Sequence, residues 1–167
     1  MIKKLFDILP VDFETKIIGD STRNISGIEI DSRGVKDGFV YAALRGTKVD
    51  GHAFINNAIN NGAVCIICEE VAEIQEGITY IVTKDVRSFL GGLLDNYFGN
   101  ASKQLKLVGV TGTNGKTTVS TLLFQLFSAF GYKCGLISTV ENRIAEDIIP
   151  ATHTTPDAVR LHMLIAE

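Results

Sequence analysis

The sequence predicts an α/β protein of two units. Residues 1–102 read as a small α/β domain, and residues 103–167 as the truncated start of a doubly wound phosphate-loop domain. Three observations carry this. Short apolar runs alternate with stretches of helical spacing, the pattern of strands joined through helices. A polar break, Gly99-Asn-Ala-Ser-Lys103, interrupts that alternation. Beyond it, the apolar run Leu105-Lys-Leu-Val-Gly-Val110 feeds a glycine-rich turn, Thr111-Gly-Thr-Asn-Gly-Lys-Thr-Thr118, and a helical pattern follows.

Each element has a local reason. Residues Ser26 to Asp31 alternate like a half-buried strand, and Phe39-Val-Tyr-Ala-Ala-Leu44 is a second strand. Residues Ala53 to Asn61 carry Phe54, Ile55, Ala58 and Ile59 at helical spacing, with Gly62 placed to end the helix. Residues Ala63 to Cys68 and Thr79 to Val82 supply two more strands. Residues Val86 to Phe98 return to helical spacing through Phe89, Leu90, Leu93, Leu94 and Tyr97. In the second unit Leu107 to Thr111 reads as a strand, Lys116 to Phe130 as a helix stopped by Gly131, and Cys134 to Ser138 as the next strand. A hairpin-like stretch over 141–149 follows. Thr155, Pro156 and Asp157 then open a last helix as cap, first residue and dipole partner. That helix runs through Ala158, Leu161, Leu164 and Ile165 to Glu167 with no stop signal. The expectation is a chain cut inside a larger domain.

Composition narrows the function. A net charge of −3 and a pI near 5.6 argue against nucleic-acid binding. No apolar run reaches the ~18 residues of a membrane helix, and the start lacks a secretory signal pattern. Cys65 and Cys68 lie inside an apolar strand-like run and read as core thiols. With Cys134 standing alone, a cytoplasmic protein is expected.

The glycine-rich turn is built for phosphate. A strand delivers it, glycines let backbone N–H groups turn inward, and a helix N-terminus faces the anion. Lys116 is placed to reach the outer phosphates of a nucleoside triphosphate, and Thr117 to ligate the Mg2+ that bridges them. The spacing departs from the usual G-x-x-x-x-G-K-[ST]: the residue five before Gly115 is Val110, so the working motif is Gly112 to Thr117. The competing reading is a plain strand-to-helix turn with a capping threonine. It gives no reason for a lysine at the crowded start of the helix.

This loop resembles that of the Mur ligases, which share the shortened spacing; cyanophycin synthetase and folylpolyglutamate synthase look similar there. Asp31-Ser-Arg33, Gly38-Phe-Val-Tyr-Ala-Ala-Leu-Arg-Gly46, Asp50-Gly-His52 and His153-Thr-Thr-Pro-Asp-Ala158 narrow the resemblance to the MurE branch, the UDP-N-acetylmuramoyl-tripeptide synthetases. The resemblance implies a ligase of peptidoglycan synthesis. Such a ligase adds meso-diaminopimelate or L-lysine to UDP-N-acetylmuramoyl-L-alanyl-D-glutamate through an acyl phosphate. It also implies roles by position. Gly112, Thr113, Asn114, Gly115, Lys116, Thr117 and Thr118 would form the ATP loop, with Lys116 catalytic. Ile30, Ser32, Thr47, Lys48, Val49, His153, Thr154 and Thr155 would contact the UDP-muramoyl-dipeptide. His153 falls where some relatives carry asparagine. Arg33 is equally well explained as a solvated ion pair, His52 and His162 as structural, and Asp50 as a turn residue. The family's carbamylated lysine and its C-terminal amino-acid domain would lie past residue 167, so these 167 residues are expected to be inactive alone. Two rivals are another ligase with the same loop, such as a folylpolyglutamate synthase, and a non-catalytic sugar-nucleotide-binding module. The long stretch before Leu105 speaks against the first, and the intact Gly-Lys-Thr against the second.

Overall fold

A computed structural model describes residues 1–46, 49–71, 73–145, 147–150 and 156–167. The chain divides into two compact units, Met1–Gly99 and Asn100–Glu167.

The first unit contains β1 (Lys3–Lys4), α1 (Leu5–Ile8), β2 (Thr15–Ile18), β3 (Asn24–Ile25), β4 (Gly27–Glu29), β5 (Phe39–Ala42), α2 (Ile55–Asn60), β6 (Ala63–Cys68), β7 (Thr79–Thr83) and α3 (Val86–Tyr97). One sheet runs in the order β2-β7-β6-β5-β4. Strands β4, β5, β6 and β7 are parallel, and β2 closes the β7 edge antiparallel. A small ladder pairs β1 with β3. Parallel strands are covered on both faces and so read as unbroken apolar runs. That is why Cys65, Ile66, Ile67 and Cys68 are all fully buried, whichever face each side chain points to. Burial pushes the Cys68 thiol up to about 11 and Cys65 further still, so both stay protonated.

Helix α3 buries Val86, Phe89, Leu90, Leu93, Leu94 and Tyr97, one stripe at helical spacing. Asp85 caps it, accepting from the Ser88 N–H at 3.0 Å and the Ser88 hydroxyl at 2.6 Å. Helix α2 ends where Gly62 adopts φ +104°. A side chain there would place its Cβ 2.7 Å from Asp37 Cα, so the position demands glycine twice over.

Several expectations are corrected. The strand expected over Ser26 to Asp31 is only Gly27–Glu29, because the Glu29 carboxylate takes the N–H groups of Ile30 and Asp31 at 2.9 and 3.2 Å and turns the chain. The expected helix over 53–61 splits into a 3-10 turn, Gly51–Phe54, and α2. Strands β1, β2 and β3 and helix α1 carry too few residues to show a period.

The second unit contains α4 (Lys116–Ala129), β8 (Gly135–Ile137), β9 (Glu141–Ile144), β10 (Asp147–Pro150) and α5 (Ala158–Ala166). Strands β8, β9 and β10 form an antiparallel meander in which Arg143 faces Leu136 on one side and Ile148 on the other. The hairpin expected over 141–149 is present, and Gly131 ends α4 with φ +84°. The strand expected over Leu107 to Thr111 is not. Among the described residues no strand pairs with it, and Leu107 and Val108 are 68% and 70% exposed. An apolar run becomes a strand only when neighbours take its N–H and C=O groups. The cap of α5 is Asp157, which accepts from the Arg160 N–H at 2.8 Å. Thr155, expected there, lies outside the described residues. The parallel ladders of a doubly wound sheet are not displayed by the described residues of this unit.

Among the described residues no helix is long and apolar enough to cross a membrane, and no cluster of His, Cys, Asp and Glu is arranged to hold a metal ion.

Candidate functional site

The loop before α4 owes its shape to two glycines. Gly112 has φ +151° and Gly115 φ +79°, and Gly115 occupies the N-cap position of α4. A Cβ at Gly115 would meet open space, so the requirement there is conformational and not one of room. The first helical rung reaching back into the loop runs from the Val119 N–H to the Gly115 carbonyl at 2.9 Å. The N–H groups of Lys116, Thr117 and Thr118 precede it and belong to the turn for which a helix supplies no partner. Lys116 folds back over the loop, its Nζ donating to the Gly112 carbonyl at 2.6 Å and the Thr113 carbonyl at 3.2 Å. Thr113, Asn114 and Thr118 are exposed and Thr117 is half-buried. A loop with left-handed glycines at a helix N-terminus and an ammonium held on its carbonyls can cradle an anion.

In the first unit the candidates gather at one edge. The carboxyl ends of β4, β5, β6 and β7 share it because those strands are parallel, and ligands of open α/β sheets bind outside such ends. Ile30 and Ser32 follow β4. Ser32 opens a 3-10 turn, Ser32–Gly34, and is only 6% exposed. Asp31 caps that turn, accepting from the Arg33 N–H at 3.0 Å and pairing with the Arg33 guanidinium at 2.6 Å. These bonds hold the Asp31 carboxyl below its ordinary range. Both side chains are exposed, so Arg33 fits the solvated-pair reading.

After β5, residues 45–46 pair with residues 49–50. Arg45 and Asp50 form a bridge, and the Gly46 N–H donates to the Val49 carbonyl at 3.0 Å. The Arg45 guanidinium meets Glu69 and Glu70, which follow β6, at 2.7 Å each. Asp50 accepts from the His52 N–H at 2.9 Å and meets His52 Nδ1 at 2.7 Å, while His52 Nε2 accepts from the Glu69 N–H at 3.1 Å. Because Nε2 accepts, the ring proton sits on Nδ1 and is donated to Asp50. The two His52 donors hold the Asp50 carboxyl below its ordinary range. His52 is therefore structural, as the sequence suggests, but what it holds together is the rim of the candidate site.

Val49 is 55% exposed on this rim. Thr47 and Lys48 lie outside the described residues, as do His153, Thr154 and Thr155. Two shallow recesses mark the first unit, one around His52, Asn56 and Tyr80 and one around Glu14, Thr83 and Lys84. Neither is lined by Ile30 or Ser32. Sequence reasoning missed Glu29 and Asn61, which fix the Ser32 turn. Asn61 donates its side-chain amide to the Ser32 carbonyl at 2.9 Å across a separation of 29 residues. No local pattern announces such a bond.

Two family models match the chain: Mur ligase family, catalytic domain, over residues 24–97, and Mur ligase middle domain over residues 110–167. The chain belongs to the Mur ligase family. Among Mur ligases it is 49% identical over 163 residues to the UDP-N-acetylmuramoyl-L-alanyl-D-glutamate--2,6-diaminopimelate ligase of Bacteroides fragilis, covering 97% of this chain and 34% of that one. The ligase of the same name from Clostridium perfringens is 39% identical over 154 residues, covering 92% and 32%. A solved structure of a diaminopimelate ligase superposes with a TM-score of 0.75 at 29% identity, covering 99% of this chain and 33% of that one. The MurF ligase from Thermotoga maritima, solved in complex with ADP, superposes with a TM-score of 0.55 at 25% identity, covering 84% and 28%. This Mur ligase chain thus spans about a third of the length of the curated relatives it matches.

Proposed function

We propose that this chain supplies the UDP-sugar-binding part and the ATP phosphate loop of a MurE-type ligase. That ligase joins meso-diaminopimelate to the D-glutamate of UDP-N-acetylmuramoyl-L-alanyl-D-glutamate. The observation that carries the reading is the likeness to diaminopimelate ligases along 97% of the chain. The left-handed glycines of the Gly112–Thr118 loop and the Lys116 ammonium folded onto its carbonyls support it. So does α4, whose Leu122, Leu126 and Phe127 remain 57%, 48% and 41% exposed, as suits a helix packed inside a larger domain.

The chemistry follows from a poor acyl donor. A carboxylate oxygen of the D-glutamate side chain attacks the γ-phosphorus of ATP, and ADP leaves with the electron pair of the broken P–O bond. The amine of diaminopimelate then attacks the acyl phosphate carbonyl, loses a proton, and inorganic phosphate leaves. Lys116 neutralises charge on the transferred phosphoryl, moving off the Gly112 and Thr113 carbonyls to do so. The first-turn N–H groups of α4 bind the phosphates bridging to it. Thr117 offers a hydroxyl, a hard oxygen donor suited to Mg2+, beside those phosphates; the ion supplies further charge neutralisation when bound. Ile30, Ser32 and the segment Thr47, Lys48 and Val49 hold the uridine end, and His153, Thr154 and Thr155 the muramoyl-dipeptide. We place residues 1–102 with the UDP-sugar and 103–167 with ATP, in the cytoplasm, and assign the 167 residues alone no turnover.

Phosphate release by the ligase that carries this chain tests the reading. Release is expected only when ATP, UDP-N-acetylmuramoyl-dipeptide and diaminopimelate are all present, and not with L-lysine in place of diaminopimelate. Release without the dipeptide substrate, or by the 167 residues alone, would overturn it.

A further inference from the structure

The turn that carries Ser32 is held from outside itself. Asn61 follows α2, and its amide meets the Ser32 carbonyl at 2.9 Å. A carbonyl only accepts, so the nitrogen of the amide faces it. Asn61 is in turn fixed at its backbone: its N–H reaches the Asn57 and Ala58 carbonyls at 3.0 and 3.2 Å, and the Gly62 carbonyl accepts from the Gly38 N–H at 3.0 Å. From the other side the Glu29 carboxylate takes the N–H groups of Ile30 and Asp31 and lies against Gly34, where a Cβ would sit 3.0 Å from Glu29 Oε2. Glu29 thus fixes the entry to the turn from its own strand, while Asn61 fixes its depth from a different element.

We propose that Asn61 is a positioning residue for a uridine nucleotide, acting through Ser32. The inference rests on reading Ser32 as a contact to the UDP-sugar. Ser32 is nearly buried, so the small part it presents cannot search for its ligand and has to be aimed beforehand. The bond from Asn61 does this. It is not a cap on α2, since it spends the amide on another element, and Asn61 itself is exposed, so the core does not depend on it.

Calorimetric titration of this chain with UDP decides the matter, using Asn61→Ala, Ser32→Ala and the double variant. Asn61→Ala is expected to weaken UDP binding by about 3- to 10-fold, the loss of one neutral hydrogen bond. In the Ser32→Ala background the same change should cost nothing further, because the group it aims is gone. An Asn61→Ala chain that binds like the unaltered one, while Ser32→Ala does not, overturns the proposal and leaves the Ser32 reading standing. Equal losses in both backgrounds also overturn it, since a merely structural role would lower affinity with or without the Ser32 hydroxyl. Unchanged binding in Ser32→Ala, or no UDP binding by the unaltered chain, overturns the Ser32 reading and the proposal with it.

Discussion

Tyr41 shows how a single side chain ties the core to the rim. Its ring is buried in β5, 1% exposed, and its hydroxyl donates to the Gly51 carbonyl at 3.0 Å, just past the Arg45–Asp50 bridge. Burial, with the Asp31 and Asp50 carboxylates adding to it, pushes this phenol up to about 12. The folded chain then holds the proton more tightly than the unfolded chain, whose tyrosine titrates near 10. The resulting stability is complete below pH ~10 and is lost as pH rises to about 12, a fall of about 2 to 3 kcal/mol. Denaturant melts across that range should show the decline in the unaltered chain and a shallower one in Tyr41→Phe. Equal slopes would contradict the burial assigned to Tyr41.

Among the elements, α3 is the clearest case of pattern becoming structure. Its six buried side chains repeat at helical spacing, and Leu93 is fully buried in the middle of them. Leu93→Ala should cost about 2 to 5 kcal/mol in a denaturant melt of the chain, as truncations in close-packed cores do. A loss under 1 kcal/mol would mean that α3 is not packed as described. The same logic explains what could be read in advance. The run Ala63-Val-Cys-Ile-Ile-Cys68 announces a strand covered on both faces, and Gly62 and Gly131 mark helix ends because only glycine sits easily at their positive φ. The misreadings share a cause. Leu107 to Thr111 is largely apolar, but local apolarity does not say whether another strand pairs with it. The strand Gly27–Glu29 is shorter than the alternation over Ser26 to Asp31 predicts because a side chain, Glu29, outcompetes the ladder for two N–H groups. The bond from Asn61 to Ser32 and the His52 link to Glu69 join residues far apart in sequence, so spacing could not reveal them.

At the scale of the molecule, each unit carries one half of the proposed chemistry. The first presents the carboxyl edge of a parallel sheet, with Ser32 held by Glu29 and Asn61, and Asp50 held by Arg45 and His52. The second presents a helix N-terminus with Lys116 folded over a glycine loop. The turn before α4 was legible because Gly112 and Gly115 set its shape locally, whereas Asp31-Ser-Arg33 stood out only by resemblance. The residues expected to hold the muramoyl-dipeptide, His153 to Thr155, stand as a proposal. The proposed division of labour between the Ser32 turn and the Lys116 loop is tested most directly by steady-state kinetics of the ligase carrying this chain. Ser32→Ala should raise KM for UDP-N-acetylmuramoyl-L-alanyl-D-glutamate about 10-fold, as for loss of one good hydrogen bond in a water-poor site, while KM for ATP stays within about 2-fold. Lys116→Ala should lower kcat by at least about 100-fold, as for loss of a group that meets developing charge. Phosphate release that survives Lys116→Ala, or a Ser32→Ala change that falls on ATP instead of the UDP substrate, would contradict the account.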